Sequence, residues 1–116
     1  MRILVCGGRY YRNHERLDEV LDEISMAAQK VVLIINGGAS GADSLAVRWA
    51  EERMLPVCTF TANWPKFGAA AGPIRNEWML TYGKPDLVVA FSGGRGTANM
   101  VRLARGAGVE VREIDG

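Results

Sequence analysis

Hydrophobic positions along the chain alternate between two periods. Unbroken apolar runs without helical spacing stand at Arg2–Cys6, Val31–Ile35 and Leu87–Phe91, and such runs predict strands buried on both faces. Pro56–Phe60 is a further short run, and the proline that opens it places that strand at a sheet edge. Between the runs the spacing lengthens. Leu17, Val20, Leu21, Ile24 and Ala28 share one face, with Glu15, Asp18, Asp22 and Glu23 opposite, which predicts an amphipathic helix capped by Asn13. Ala42, Leu45, Ala46, Trp49, Ala50 and Met54 form a second helical stripe. Pro73 suits the first position of a third helix, which continues through Tyr82 and stops at Gly83. No side-chain cap precedes that proline, so the free N–H groups call for water or a ligand. A last helix runs from about Thr97 to Arg105, and Val109–Ile114, where acids interrupt the valines, closes the chain as an edge strand.

Alternation of strand and helix through the whole length predicts an α/β fold, a mostly parallel sheet with helices on both faces. The first and fourth runs are the most continuously apolar, and crossovers are right-handed, so the expected sheet has five parallel strands in the order 3-2-1-4-5. A ligand then binds where the strand order reverses, outside the carboxyl ends of the first and fourth strands.

Three glycine-rich loops follow predicted strands at that end of the sheet. They are Gly7-Gly8-Arg9, Gly37-Gly38-Ala39-Ser40-Gly41 and Ser92-Gly93-Gly94-Arg95-Gly96-Thr97. Glycines let backbone N–H groups turn outward without Cβ obstruction, and a helix N-terminus behind the loop favours an anion. One such loop is weak evidence, because glycine also makes tight turns; three in convergent positions point to an anionic ligand. Ser40 and Asp43 fit a Ser-x-x-Asp capping box, and Asp43 equally suits contact with a ligand hydroxyl. The long connection from Thr61 to Gly72 carries Trp64 and Phe67, which either cover a planar ligand or pack as a local lid on the core. His14 reads as a solvated surface residue without a catalytic role.

At 116 residues, with 48% hydrophobic and 23% charged positions, the chain is expected to be a single domain spanning residues 1–116, with one real core and neither a disordered linker nor a membrane span. It has no apolar stretch of signal-peptide length at its start, so maturation at Met1 and a cytoplasmic location are expected. Cys6 and Cys58 read as small apolar residues, with no metal-ligand spacing, and no metal or cofactor is expected. A net charge of +1 argues against nucleic-acid binding by bulk electrostatics. Eleven arginines stand against three lysines, and Arg9, Arg75 and Arg95 fall in or beside the glycine loops or the third helix, where a planar fork suits phosphate or carboxylate.

The combination of Gly7-Gly8-Arg9-x-Tyr11, Asn36-Gly-Gly-Ala-x-Gly-Ala-Asp43, Trp64 with Ala71-Gly-Pro-Ile-Arg-Asn76 and Met79, and Ala90-Phe-Ser-Gly-Gly-Arg-Gly-Thr97 resembles the YspA and YpsA-related branch of the SLOG superfamily. The resemblance covers nearly the whole chain. It implies a Rossmann-like domain, a nucleotide or nucleotide-derived ligand, a homodimer paired through helices, and a phage-related or defence setting. Superfamily relatives include the Lonely Guy phosphoribohydrolases and the DNA-processing protein DprA. Arg75 and Met79 look like the Arg-Lys-x-x-Met helix of the Lonely Guy enzymes, with Asn76 in place of the lysine. Gly93-Gly94-Arg95-Gly96-Thr97 looks like their phosphate loop, with Ser92 in place of a proline. Where those enzymes carry Leu-Glu-Glu after the threonine, this chain has Ala98, Asn99 and Met100.

Asparagine cannot ionise, so cleavage of an N-glycosidic bond would need a relocated carboxylate, with Glu77 and Asp43 as the candidates. The expected function is therefore binding or sensing of a nucleotide-type ligand through Gly7, Gly8, Arg9, Gly37, Gly38, Ala39, Asp43, Trp64, Arg75, Asn76 and Ser92 to Thr97. A nucleotide N-glycosidase is the alternative. Single-stranded DNA binding, as in the DprA relatives, is a weaker one.

Overall fold

A computed structural model describes residues 1–27 and 30–116. Five strands form one parallel sheet: β1 (Arg2–Cys6), β2 (Leu33–Asn36), β3 (Val57–Thr59), β4 (Leu87–Ala90) and β5 (Glu110–Glu113), in the order β3-β2-β1-β4-β5. β1 is central, with Leu4 opposite Ile35 on one side and Val88 on the other. Its side chains alternate between two buried layers, which is why the run shows no polar positions. Ile3 and Val5 pack with α1 (His14–Ser25) and α2 (Ala42–Glu52) through Leu17, Leu21, Ala46 and Trp49. Leu4 and Cys6 face the opposite layer with Met79, Met100 and Ala104, from α4 (Ala71–Thr81) and α5 (Arg95–Gly106). Each large apolar side chain removed from water in this way stabilises the fold by roughly 1.5–3 kcal/mol.

Asn13 caps α1, its side chain accepting from the Arg16 N–H at 3.1 Å. His14 is exposed in the first turn of that helix. Ala28, expected at the end of the α1 stripe, lies outside the described residues. No described helix is long and apolar enough to cross a membrane.

Several boundaries differ from expectation. Pairing of β2 begins at Leu33, because the neighbouring strand offers its first partner at Arg2; Val31 is buried in the core ahead of the strand. The connection from Thr61 to Gly72 is not an open loop. It forms a short helix α3 (Trp64–Phe67), capped by Asn63, and a single turn of tighter helix at Gly68–Ala70 that runs directly into α4. Pro73 is therefore the third residue of α4 rather than the first, and the preceding turn continues the helix axis backward. The Ser40–Asp43 capping box is absent. Gly41 occupies the cap position of α2 without a side-chain hydrogen bond, while Ser40 Oγ donates to the Arg9 carbonyl at 3.1 Å.

Candidate functional site

The loops after β1, β2 and β4 meet at the carboxyl end of the sheet, where the strand order reverses between β1 and β4. Gly8 N–H donates to the Ser92 carbonyl at 2.8 Å, and the Gly8 carbonyl accepts from Ala42 N–H at 3.2 Å. The first loop is thus tied to both others. Such close approach excludes side chains: Gly41 has φ +79° and a Cβ there would collide with the Gly8 carbonyl, and a Cβ at Gly93 would lie 2.7 Å from Gly8 N and collide with Thr97 Oγ1. Together the loops enclose an open cleft of about 870 Å³, within the range of small-molecule sites.

Beneath the second loop Asp43 is buried, and its Oδ2 accepts from the N–H groups of Gly37 (3.0 Å) and Ala39 (3.2 Å). Gly38 N–H goes to Asn36 Oδ1 at 2.8 Å. Three successive amides are therefore consumed internally, by side chains that the chain itself supplies. Burial pushes the Asp43 carboxyl above its ordinary pKa of 3.8, opposed by the two amides and by the positive charge of Arg75. Arg75, from α4, donates through Nη1 to the Gly37 carbonyl at 2.6 Å and through Nε to Asn76 Oδ1 at 3.0 Å. Its own pKa is drawn down by burial and supported by Asp43. Asn76 Nδ2 passes the chain of contacts to Asn99 Oδ1 at 2.9 Å and to the Gly96 carbonyl at 3.3 Å. Cys6 lies at the floor with its thiol pushed up to about 12, chiefly by burial and further by Asp43, so it stays protonated and unreactive.

The third loop is built differently. The first helical bond of α5 runs from Ala98 N–H to the Gly94 carbonyl, so Arg95, Gly96 and Thr97 precede the ladder, and no side chain caps them. Their N–H groups are left for a ligand or water, at the positive end of a twelve-residue helix. A Cβ at Gly94 or Gly96 would meet nothing within 4 Å, and neither residue has a positive φ.

A profile of the YspA, cpYpsA-related SLOG family matches residues 1–67, which include the first two glycine loops. Over 118 aligned residues the chain is 34% identical to the Gene 61 protein of Mycobacterium phage D29, covering 95% of this chain and 93% of that one. The chain belongs to the YspA, cpYpsA-related SLOG family. Arg75 and the loop after β4 lie beyond the family profile's match and within the region shared with the phage protein's length.

Of the residues expected at the site, Gly7, Gly8, Arg9, Gly37, Ala39, Asp43, Arg75, Asn76 and all of Ser92 to Thr97 line this SLOG cleft. Gly38 does not; its φ of +73° serves the turn instead. Trp64 is not brought to the cleft either. It stands half exposed on α3 with its ring against α4, where a Cβ on Gly72 would meet its Cη2 at 3.3 Å. Phe67 packs edge-on against Trp78, with ring centroids 6.2 Å apart. Glu77 is exposed and outside the cleft, which leaves Asp43 as the acidic side chain lining it among the described residues.

Sequence reasoning missed Tyr10, Arg12, Asn13 and Gly116, which also line the cleft. Tyr11 Oη and Asn13 Nδ2 both donate to the Gly116 carbonyl, each at 3.1 Å, so the segment after β5 forms one wall. The run Arg9-Tyr10-Tyr11-Arg12 was the available signal: two cations and two aromatics directly behind a glycine pair. Among the described residues no group of three His, Cys, Asp or Glu is placed to hold a metal ion.

Proposed function

We propose that this protein binds a nucleotide or nucleotide-derived ligand in the cleft, with a phosphate against the first turn of α5, and that it holds the ligand rather than cleaving it. The observation that carries this reading is the pair Gly94 and Gly96. No steric conflict and no positive φ calls for glycine at either position, yet both border uncapped N–H groups facing an open cleft. A phosphate approaching a helix N-terminus closely is what absent side chains there permit. Family membership supports the nucleotide character of the ligand.

Support for holding over cleavage comes from Asp43. One of its oxygens already accepts two backbone amides beneath the second loop, so it is engaged in keeping that loop closed. The positions where Lonely Guy enzymes carry glutamate hold Asn99, whose side-chain oxygen accepts from Asn76, and Met100, and neither side chain can supply or remove a proton usefully. A phosphate at one helix N-terminus contributes about 0.3–2 kcal/mol, whereas micromolar binding needs about 8 kcal/mol. The remainder has to come from charge-assisted bonds to the cleft arginines and from the base.

The test is thermal stabilisation of the purified protein by nucleoside phosphates, paired with assay for free base. Ligand at a hundredfold over Kd adds about 2.7 kcal/mol to stability; Gly94→Asp, which puts a carboxylate where the phosphate is proposed to sit, should abolish the shift without lowering the unliganded melting temperature. Absence of stabilisation by any nucleotide, or release of base at enzyme rates, would overturn the reading. A homodimer paired through α4 is proposed as well, supported by exposed Trp78 on that helix and Tyr82 at its C-terminal cap. Met79 on the same helix is turned into the core. Light scattering at micromolar concentration decides it.

A further inference from the structure

The arginines of this chain differ in what faces them. Arg16, Arg48, Arg53, Arg105 and Arg112 each lie within salt-bridge distance of a carboxylate, respectively Glu19, Asp18, Asp22, Glu113 and Glu110. Arg9, Arg12 and Arg95, all exposed and all lining the cleft, have no such partner among the described residues. Arg102, exposed on α5, and Arg2, whose guanidinium donates to the Gly83 carbonyl, also have no carboxylate partner among the described residues, but neither lines the cleft. With Arg75, four of the fourteen cationic side chains border a cleft to which the thirteen acidic ones contribute Asp43 alone. In a chain of net charge +1 that distribution is a strong local excess, and low-dielectric walls concentrate its field.

These unpaired arginines come from two different elements. Arg95 opens α5 beside the proposed phosphate position. Arg9 and Arg12 belong to the loop after β1, together with Tyr10, which is 80% exposed. Arg9 and Arg12 also line a second cavity of about 490 Å³, together with Ser40 and Ser44. The α5 amides and Arg95 belong to one wall of the cleft, and Arg9 and Arg12 bring two further guanidinium groups from another element, with no carboxylate partner among the described residues.

We propose that Arg9 and Arg12 form a second anion subsite, so that the ligand carries two phosphoryl groups, one at the start of α5 and the other against the loop after β1. This deepens the proposed function and rests on it. A nucleoside diphosphate, a nucleoside bisphosphate and a pyrophosphate-linked dinucleotide share that chemistry. The planar forks of Arg9 and Arg12 offer bidentate, charge-assisted bonds to the second group.

Calorimetric titration of the wild-type protein with a nucleoside 5′-monophosphate and with each of the three two-phosphoryl classes tests the proposal. At least one class should bind tenfold or more tightly than the matched monophosphate. Arg9→Gln combined with Arg12→Gln should collapse that ratio towards one, while Lys84→Gln combined with Arg102→Gln, which removes the same charge elsewhere, should preserve it. Equal affinities for all four ligands in the wild type would overturn the second subsite and leave the nucleotide reading standing. Equal loss of mono- and diphosphate binding in the Arg9/Arg12 variant, with the ratio intact, would also overturn it. Failure of every phosphate ligand to bind the wild type would bring down both readings together.

Discussion

The loop after β2 and the loop after β4 share a description: a buried strand, two adjacent glycines, then a helix without a side-chain cap. They differ in where their amides go. In the first, Gly37, Gly38 and Ala39 donate to Asp43 and Asn36, so the loop is folded around the chain's own oxygen atoms. In the second, Arg95, Gly96 and Thr97 precede the helical ladder with nothing capping them. A glycine loop therefore signals exposed donors only when no acidic or amide side chain stands a few residues away to consume them. Asp43 acts toward the second loop as a built-in anion, and the loop after β4 has no counterpart to it.

Removing that internal anion should have the largest effect. Asp43→Ala strands the buried N–H of Gly37 and the part-buried N–H of Ala39 and takes the negative charge from beside Arg75. A buried stranded donor costs roughly 1–3 kcal/mol and a part-buried one less, so a loss of about 1–4 kcal/mol is expected in urea denaturation. No equivalent single change exists in the loop after β4, and a loss below about 0.5 kcal/mol would mean that the Asp43 bonds do not hold the second loop.

The glycines of the loop after β4 can be separated from one another. A methyl group at Gly93 would collide with Thr97 Oγ1 and crowd Gly8 N, whereas at Gly94 it enters open space. Gly93→Ala is expected to lower stability by about 1–3 kcal/mol through overpacking, and Gly94→Ala to leave it within about 0.5 kcal/mol of wild type. The ligand should report the opposite order of specificity: Gly94→Ala weakens nucleotide binding in a protein that is otherwise as stable as before. Equal destabilisation by the two substitutions would remove the distinction between a glycine that packs and a glycine that makes room.

The same distinction explains how much could be read from the sequence. The strand order followed from two continuously apolar runs, Arg2–Cys6 and Leu87–Phe91, because only central strands are covered on both faces. The convergence of the loops followed from that order. Individual hydrogen bonds did not, since Ser40 and Asp43 match a capping box in spacing while Asp43 reaches back to Gly37 and Ala39 instead. The role of Trp64 was not legible either: an aromatic in a long connection has the same appearance whether it overhangs a site or lies against the next helix. What decides is the short helix α3, whose residues include a proline and no apolar periodicity to announce it. Tyr10 and Arg12 border the cleft because the loop before α1 curls over it, a path set by Tyr11 N–H bonding to the Gly8 carbonyl and by the tether of Tyr11 to Gly116.

Since Trp64 lies outside the cleft, Trp64→Ala should change nucleotide affinity by less than about twofold, a difference under about 0.4 kcal/mol. Titration of the variant checks this. A loss of 1–3 kcal/mol, roughly that of a stacked base, would show that α3 moves over the ligand on binding, and would make the comparison of loops incomplete without it.

The smallest expected effect is a pH dependence that resides in Asp43. Burial raises its pKa above 3.8, and the two amides and Arg75 only partly offset this. Between 3.8 and the raised folded value the folded protein holds more protons than the unfolded chain, so stability falls as the pH rises through that interval. The contribution of Asp43 is thus fully present at the acid end of the window and lost towards its alkaline end, opposite in sign to a salt-bridged surface carboxylate. Asp43→Asn removes the titration while keeping one side-chain oxygen able to accept from Gly37 and Ala39. Urea midpoints measured from pH 4 to pH 8 should show the stability of the wild type relative to Asp43→Asn declining as the pH increases. A relative stability that instead climbed with pH would mean that the two amides and Arg75 outweigh burial, and that the second loop binds its internal carboxylate in the charged form as firmly as the loop after β4 is proposed to bind a phosphate.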